Sequence, residues 1–233
     1  MKGVTIILMK GYNGKSRLTL DYEIRSRLVD ALAFDLYKTI TEISFSNEPW
    51  NCFIATPDKI FSEKCKNEKI PILDLEIGDL NSIFHQIQNW VVENGYDFLI
   101  LCAGDIPLLD GLLIYEIKRR LIENFMEAGK SMIVCPSKSN GVSIIGMSPV
   151  DLCVIAAQEG LQNLEVIMGL NHDMYPYEII NDFRSYMDID YHEDLYVTLR
   201  FMEENSVYEN RLVKDVLGEI FYLKPISYCL KTN

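Results

Sequence analysis

Val4-Thr5-Ile6-Ile7-Leu8-Met9 is followed by Lys10-Gly11-Tyr12-Asn13-Gly14-Lys15-Ser16-Arg17. Beyond it Ile24, Leu28, Leu32, Leu36 and Ile40 recur every fourth residue. A short, mostly apolar run bounded by polar residues reads as a buried strand. The fourfold spacing reads as a helix over 21–41, with Asp21 placed to cap it. The chain therefore opens with a strand, a basic glycine-containing loop and a helix.

The same alternation continues along the chain. Strands are expected at 52–55, 71–75, 98–102, 132–135 and 142–145, with a weaker one at 178–180. Helices are expected at 80–93, 112–128, 149–159 and 192–205, with Gly95 and Gly129 as stop signals after the first two. Such alternation predicts a three-layer α/β/α fold around a mostly parallel sheet. Right-handed crossovers collect the loops that follow the strands at one edge, where ligands bind in sheets of this kind. Residues 10–17 and 103–107 both belong to that edge.

The pattern predicts one domain over 1–233. Its last stretch, 206–233, reads as a short helix and a hairpin-like pair. Val207, Leu212, Val213, Val216, Leu217, Ile220, Phe221, Leu223, Ile226 and Leu230 give this stretch too much apolar surface for a solvated tail. It must cover either the flank of its own domain or a second subunit, and a homodimer is the favoured expectation.

A net charge of −12 disfavours nonspecific binding to nucleic acid or anionic membrane. The apolar stretch 4–9 is too short for a signal-peptide core, and no run approaches the ~18 apolar residues of a membrane span. A cytoplasmic protein is expected. The six cysteines form no C-x-x-C pair and have no histidine at metal-site spacing, so no cysteine metal site is expected. This is not a small secreted scaffold, so no disulfide framework is expected, and Cys102 and Cys135 read as core thiols. His85, His172 and His192 fit no nucleophile–base arrangement.

Three places could carry chemistry. In the first loop, Gly11 and Gly14 allow backbone N–H groups to approach phosphate oxygens, and Lys10, Lys15 and Arg17 supply positive charge. The spacing is neither a Walker A loop nor G-x-G-x-x-G, and a solvated loop remains the alternative. Asp105 directly follows the apolar strand ending at Cys102, where a carboxylate could meet Mg²⁺ bound to phosphate. A turn or cap aspartate is the alternative. Asp188 and Asp190, two apart, fall on one side of an extended segment. They could share a divalent metal or could cap the helix that follows.

These pieces resemble the GT-A-type nucleotidyltransferases, most closely the 2-phospho-L-lactate guanylyltransferase family of deazaflavin-coenzyme biosynthesis, related to the molybdenum-cofactor guanylyltransferases. Four segments carry the resemblance, in order: Lys15-Ser16-Arg17-Leu18, with Arg25 and Asp35 on the following helix; Asp79-Leu80-Asn81; Gly104-Asp105-Ile106-Pro107-Leu108-Leu109; and Asp188-Ile189-Asp190-Tyr191-His192-Glu193-Asp194-Leu195. The resemblance implies that Lys15 and Arg17 bind a triphosphate, that Leu80 and Asn81 lie near base or ribose, and that Asp105, Asp188 and Asp190 hold Mg²⁺. It implies guanylyl transfer from GTP to a phosphorylated three-carbon acid (2-phospholactate, phosphoenolpyruvate or a phosphoglycerate), with pyrophosphate leaving. The chain departs from the family pattern at Ser139-Asn140-Gly141-Val142-Ser143, at residues 159–164 and at Tyr191-His192, which stand where the family has Thr-Pro. A GT-A glycosyltransferase and a noncatalytic nucleotide-binding protein of the same fold are the competing expectations.

Overall fold

The computed structural model describes residues 1–12, 14, 15, 17–42, 50–138, 141–150, 175–209 and 211–223. Its seven-stranded sheet contains β1 (Gly3–Leu8), β2 (Trp50–Thr56), β3 (Ile72–Asp74), β4 (Phe98–Ala103), β5 (Ser131–Pro136), β6 (Val142–Ser148) and β7 (Tyr177–Ile179), in the order β3-β2-β1-β4-β6-β5-β7. The helices are α1 (Tyr22–Thr41), α2 (Lys59–Asn67), α3 (Leu80–Glu93), α4 (Gly111–Ala128), α5 (Phe183–Tyr186), α6 (His192–Glu204) and α7 (Leu212–Gly218), the last running on into a π-turn at Glu219–Leu223.

Alternation along the strands builds the two faces of the sheet. Phe98, Ile100 and Cys102 of β4 join one buried cluster with residues of α1, α2 and α4. Leu99 and Leu101 join another, which includes Ile83, Ile87 and Val91 of α3. This is the period-two logic of a strand buried on both faces. The result is a three-layer α/β fold with a mostly parallel sheet.

Only β6 runs against its neighbours, antiparallel to both β4 and β5. Five residues separate β5 from β6, too few for the crossover that parallel pairing needs. The other six strands therefore end at one edge. The register fixes that edge: Leu8 lies opposite both Ala55 of β2 and Ala103 of β4.

The helix α2 has no counterpart in the expectations above. It spans nine residues with only Phe61, Ser62 and Cys65 buried, while Ile60 points outward at 69% exposure, so its apolar stripe is too narrow to read from spacing. The short α5 escaped for the same reason. The helix expected at 149–159 lies almost wholly outside the described residues. Asp21 caps α1 as expected, accepting the Ile24 N–H at 2.9 Å. That helix is buried on two sides rather than along one stripe. Val29, Ala33, Leu36 and Ile40 face the sheet, whereas Leu28, Ala31 and Leu32 meet Leu195, Leu199, Val213 and Leu217.

The second contact answers part of the question raised by 206–233. The described residues of that segment, 206–209 and 211–223, lie on the chain's own flank. Tyr208 is buried and donates its hydroxyl to Leu108 O at 2.7 Å, and Val213 and Leu217 are fully buried. Burying each such side chain is worth about 1.5–3 kcal/mol. The expected hairpin-like pair, with Ile226 and Leu230, lies outside the described residues. Among the described residues no helix is long and apolar enough to cross a membrane. Cys52, Cys65, Cys102 and Cys135 are buried free thiols, and burial pushes Cys52, Cys65 and Cys135 up to about 12.

Candidate nucleotide site

The loop after β1 turns tightly at the carboxyl edge. Gly11 adopts φ +74°, and a Cβ there would come within 2.2 Å of the Asp58 Cβ, so glycine is required twice over. Asp58 had no role in the sequence reading. One of its carboxylate oxygens caps α2 by accepting the Ile60 and Phe61 N–H groups, and the other accepts the Tyr12 N–H at 2.9 Å. It thereby ties the loop to the neighbouring strand-to-helix turn. The Tyr12 hydroxyl donates to Asp30 at 2.8 Å; burial, followed by this bond, raises its pKa. Gly104 closes the other side. Its N–H donates to Leu8 O at 3.0 Å, and a Cβ would sit 2.8 Å from that same carbonyl oxygen.

Between these walls lies Lys15. Its φ is +61°, a left-handed conformation that costs a non-glycine residue on the order of 1–2 kcal/mol. The turn is held by the Leu18 N–H donating to Lys15 O at 3.0 Å. The Lys15 ammonium meets Asp105 Oδ2 at 2.5 Å, Asp190 Oδ1 at 3.4 Å and the carbonyl oxygen of Ile189. Arg17, 66% exposed, lies 3.9 Å from Asp190 Oδ2. Lys15, Arg17, Asp105 and Asp190, read separately from distant parts of the sequence, thus converge.

Asp188 belongs to the same cluster through Lys138, which the sequence reading passed over. The Lys138 ammonium donates to Asp188 O at 2.8 Å, lies 3.8 Å from Asp188 Oδ1 and pairs closely with Asp194. Asp194 Oδ2 also accepts the N–H groups of Asp190 at 2.8 Å and Tyr191 at 2.7 Å. So Asp194 does the capping at the start of α6, and Asp188 and Asp190 are not its caps. Asp105 is no helix cap either, since Asp110 caps α4. The position of Lys138, just past the carboxyl end of β5, was the available signal. Burial opposes ionisation of Asp194, but the bonds from Lys138 and the two N–H groups outweigh it and hold its pKa below the usual carboxylate range. Asp188 goes the other way: burial, then the nearby Asp105 charge, raise its pKa.

Asp188 Oδ1 is buried and accepts no hydrogen bond. A buried hard oxygen that takes no hydrogen bond, its Lys138 ion pair being 3.8 Å long, suits a divalent cation. Yet among the described residues no three His, Cys, Asp or Glu side chains stand as a metal-holding group. The space between Asp105 and Asp190 is taken by the Lys15 ammonium. The donor chemistry fits a cation, and in this conformation an amino group fills that role.

The remaining expected residues lie further out. Lys10 is exposed and its Cβ lies against Gly14. Leu80 and Asn81 open α3, after β3, which is separated from β1 by β2. His85 is exposed on α3, the ring of His192 packs 5.6 Å from that of Phe221, and His172 lies outside the described residues. Of the departures from the family pattern, residues 139–140 and 159–164 also lie outside them, whereas 141–143 and Tyr191-His192 are described.

The sequence profile of the "Guanylyl transferase CofC like" proteins matches residues 3–216. The chain belongs to this family. It is accordingly a nucleotidyltransferase, using a nucleoside triphosphate and a second substrate. No curated protein sequence matches it significantly. Solved structures share the fold at low identity. A protein from Desulfovibrio desulfuricans assigned as a nucleotide-diphospho-sugar transferase superposes with TM-score 0.76 at 17% identity, over 93% of this chain and 94% of its own. CMP:2-keto-3-deoxy-manno-octonic acid synthetase, complexed with CTP, gives 0.61 at 11% identity, over 88% and 99%. The 4-diphosphocytidyl-2C-methyl-D-erythritol synthase of Anaerococcus prevotii gives 0.59 at 11%, over 87% and 99%.

Proposed function

We infer that the protein transfers a guanylyl group from GTP to a phosphorylated three-carbon acid, such as 2-phospholactate, phosphoenolpyruvate or a phosphoglycerate, and releases pyrophosphate. The observation that carries this reading is the meeting of Lys15 and Arg17 with Asp105 and Asp190 at the carboxyl edge, in a chain of a guanylyl transferase family. A phosphate oxygen of the acceptor attacks the α-phosphorus of the nucleotide, and the bond to the β-phosphate oxygen breaks. No side-chain nucleophile is required.

The chain's own residues then orient and neutralise. Lys15 and Arg17 take the phosphate oxygens through charge-assisted hydrogen bonds, with Lys10 at the mouth of the loop. Leu80 and Asn81 serve base or ribose. Asp105, Asp188 and Asp190 would hold Mg²⁺, which supplies charge neutralisation at the reacting phosphate. Lys138 and Asp194 keep the 188–191 segment in place.

The test is pyrophosphate release from each of the four ribonucleoside triphosphates, with and without Mg²⁺, against a panel of phosphorylated three-carbon acids. Release with GTP and one such acid, dependent on both, is the expected outcome. Release of nucleoside diphosphate from a nucleotide sugar would instead identify a glycosyltransferase. Nucleotide binding without turnover on any acceptor would identify a noncatalytic relative.

A further inference from the structure

Lys15 carries two assignments that cannot hold at once. An ammonium has three N–H donors. Here it faces three oxygens: Asp105 Oδ2, Asp190 Oδ1 and the Ile189 carbonyl. No donor is left for a phosphate. If Lys15 is to bind the triphosphate, it must leave these oxygens, and it then leaves behind hard anionic groups near Asp188 Oδ1, which takes no hydrogen bond.

The two ammonium groups of the cluster differ in how they are held. Lys138 is built into the frame: its own N–H donates to Tyr186 O at 3.0 Å, and its side chain is shared between Asp188 and Asp194. Lys15 sits on the glycine-containing loop, in a left-handed backbone conformation, with its side chain reaching inward to 11% exposure. One cation is a fixed part of the frame; the other is aimed into the cluster from a turn that spends conformational energy to aim it.

We propose that Lys15 is an internal counter-ion that holds the divalent-cation position until a triphosphate draws it away, so that metal and nucleotide enter together. This rests on the reading of Asp105, Asp188 and Asp190 as cation ligands. A nucleotide-free site with three near carboxylates would otherwise either repel itself or capture free cations. With Lys15 on Asp105 and Asp190 and Lys138 beside Asp188, the negative charge is partly offset, and cation binding between Asp105 and Asp190 becomes conditional on the ligand that Lys15 prefers. The exchange is a coupling between two ligands through one side chain, and it is reciprocal.

The probe is Mn²⁺ alone, with free Mn²⁺ counted by electron paramagnetic resonance on the nucleotide-free full-length protein. The variants are Lys15→Met and, because asparagine tolerates a left-handed backbone, Lys15→Asn, each checked for native circular dichroism. The expected result is Mn²⁺ binding tighter than wild type by about 5- to 150-fold, the usual size of such couplings, and abolished by adding Asp105→Asn. A folded Lys15 variant that binds Mn²⁺ no tighter than wild type overturns the proposal. The underlying reading is tested separately, with wild type saturated by a nonhydrolysable GTP analogue. If Mn²⁺ binding there depends on Asp105 while the Lys15 variants gain nothing, the counter-ion role fails and the cation site stands. If Asp105→Asn has no effect in either setting, both fail.

Discussion

Asp35 and Val213 are joined across 178 residues of sequence by one hydrogen bond, the Val213 N–H donating to Asp35 Oδ2 at 2.9 Å. The other Asp35 oxygen accepts the Leu212 N–H at 3.1 Å, so a side chain of α1 caps α7. Arg211 completes the joint, donating to Asp35 O and Leu109 O, each at 3.1 Å. Asp35 lies on the helix that carries the resemblance to the guanylyltransferases, yet its work here is to seat the segment beyond α6.

Asp35→Ala should therefore destabilise the fold. One buried and one part-buried N–H group lose their acceptor, which costs on the order of 1–3 kcal/mol for the buried one and less for the other, which water can reach. Urea unfolding should register the loss, whereas nucleotide affinity of the folded fraction should stay near wild type. An unchanged unfolding midpoint would remove Asp35 from the account of how α7 is held.

The same residue predicts a pH dependence. Burial raises the Asp35 pKa against the two N–H bonds that lower it. The unfolded chain then loses its proton first as pH rises, and the folded state is the one that binds more protons in between. Its stabilising contribution is full below the ordinary aspartate value of about 3.9, and it falls as pH rises through the higher folded value. Relative to Asp35→Asn, wild type should lose stability across that window and run parallel to the variant above it. Denaturant titrations at a series of pH values check the sign; a difference that grows in favour of wild type with rising pH contradicts it.

Arg17→Ala should separate binding from stability. Arg17 is two-thirds exposed and its pairing with Asp190 spans 3.9 Å. Exposed pairs of this kind are worth about 0–1 kcal/mol, so melting should barely move. A charge-assisted contact to phosphate is worth about 1.5–3 kcal/mol. Calorimetric titration with a nucleoside triphosphate should show weakening of that size, and unchanged affinity would rule out phosphate contact.

Lys138 makes a contrasting case. Lys138→Met should reduce both melting temperature and turnover, because Asp194 and Asp188 lose their shared cation and the 188–191 segment loses its brace; charged bonds of this type contribute about 1.5–3 kcal/mol. Lys138→Arg should recover much of each. Full turnover in Lys138→Met, measured as pyrophosphate release, would mean the brace is dispensable.

Gly104→Ala should be poorly tolerated. The added Cβ would lie 2.8 Å from Leu8 O, a backbone atom of β1 that cannot give way alone. Overpacking of this kind costs about 1–3 kcal/mol. The shift would also move Asp105, so thermal melts and nucleotide affinity should fall together. Retention of both would show that the β1–β4 ends have more room than their register allows.

The first strand, the capped helix after it and the β–α alternation were all legible because each is written in local periodicity. Lys15, Arg17 and Asp105 could be placed at one edge, since residues at the carboxyl ends of parallel strands must share it, whereas Asp188 and Asp190 were marked by their spacing and the family resemblance and not by a strand end. Lys138 and Asp58 were not legible: each stands two residues past the carboxyl end of a strand, β5 or β2, but that position alone does not say what a side chain meets. Their importance comes from what lies opposite: Asp194, 56 positions away from Lys138, and Tyr12, 46 positions before Asp58.

What the sequence determined alone, then, was the order of elements and the edge at which charged side chains gather, both consequences of hydrophobic periodicity and chain handedness. Three matters were left to the tertiary structure. The β5–β6 pair turned antiparallel because five connecting residues cannot cross over. The segment after α6 folded onto α1 because Asp35 offered two acceptors there. The ammonium of Lys15 came to rest among the carboxylates because a left-handed turn, closed by Leu18 and flanked by Gly11 and Gly14, points it inward. Contacts between residues far apart in sequence carry no local signature, so only the folded chain could bring them together.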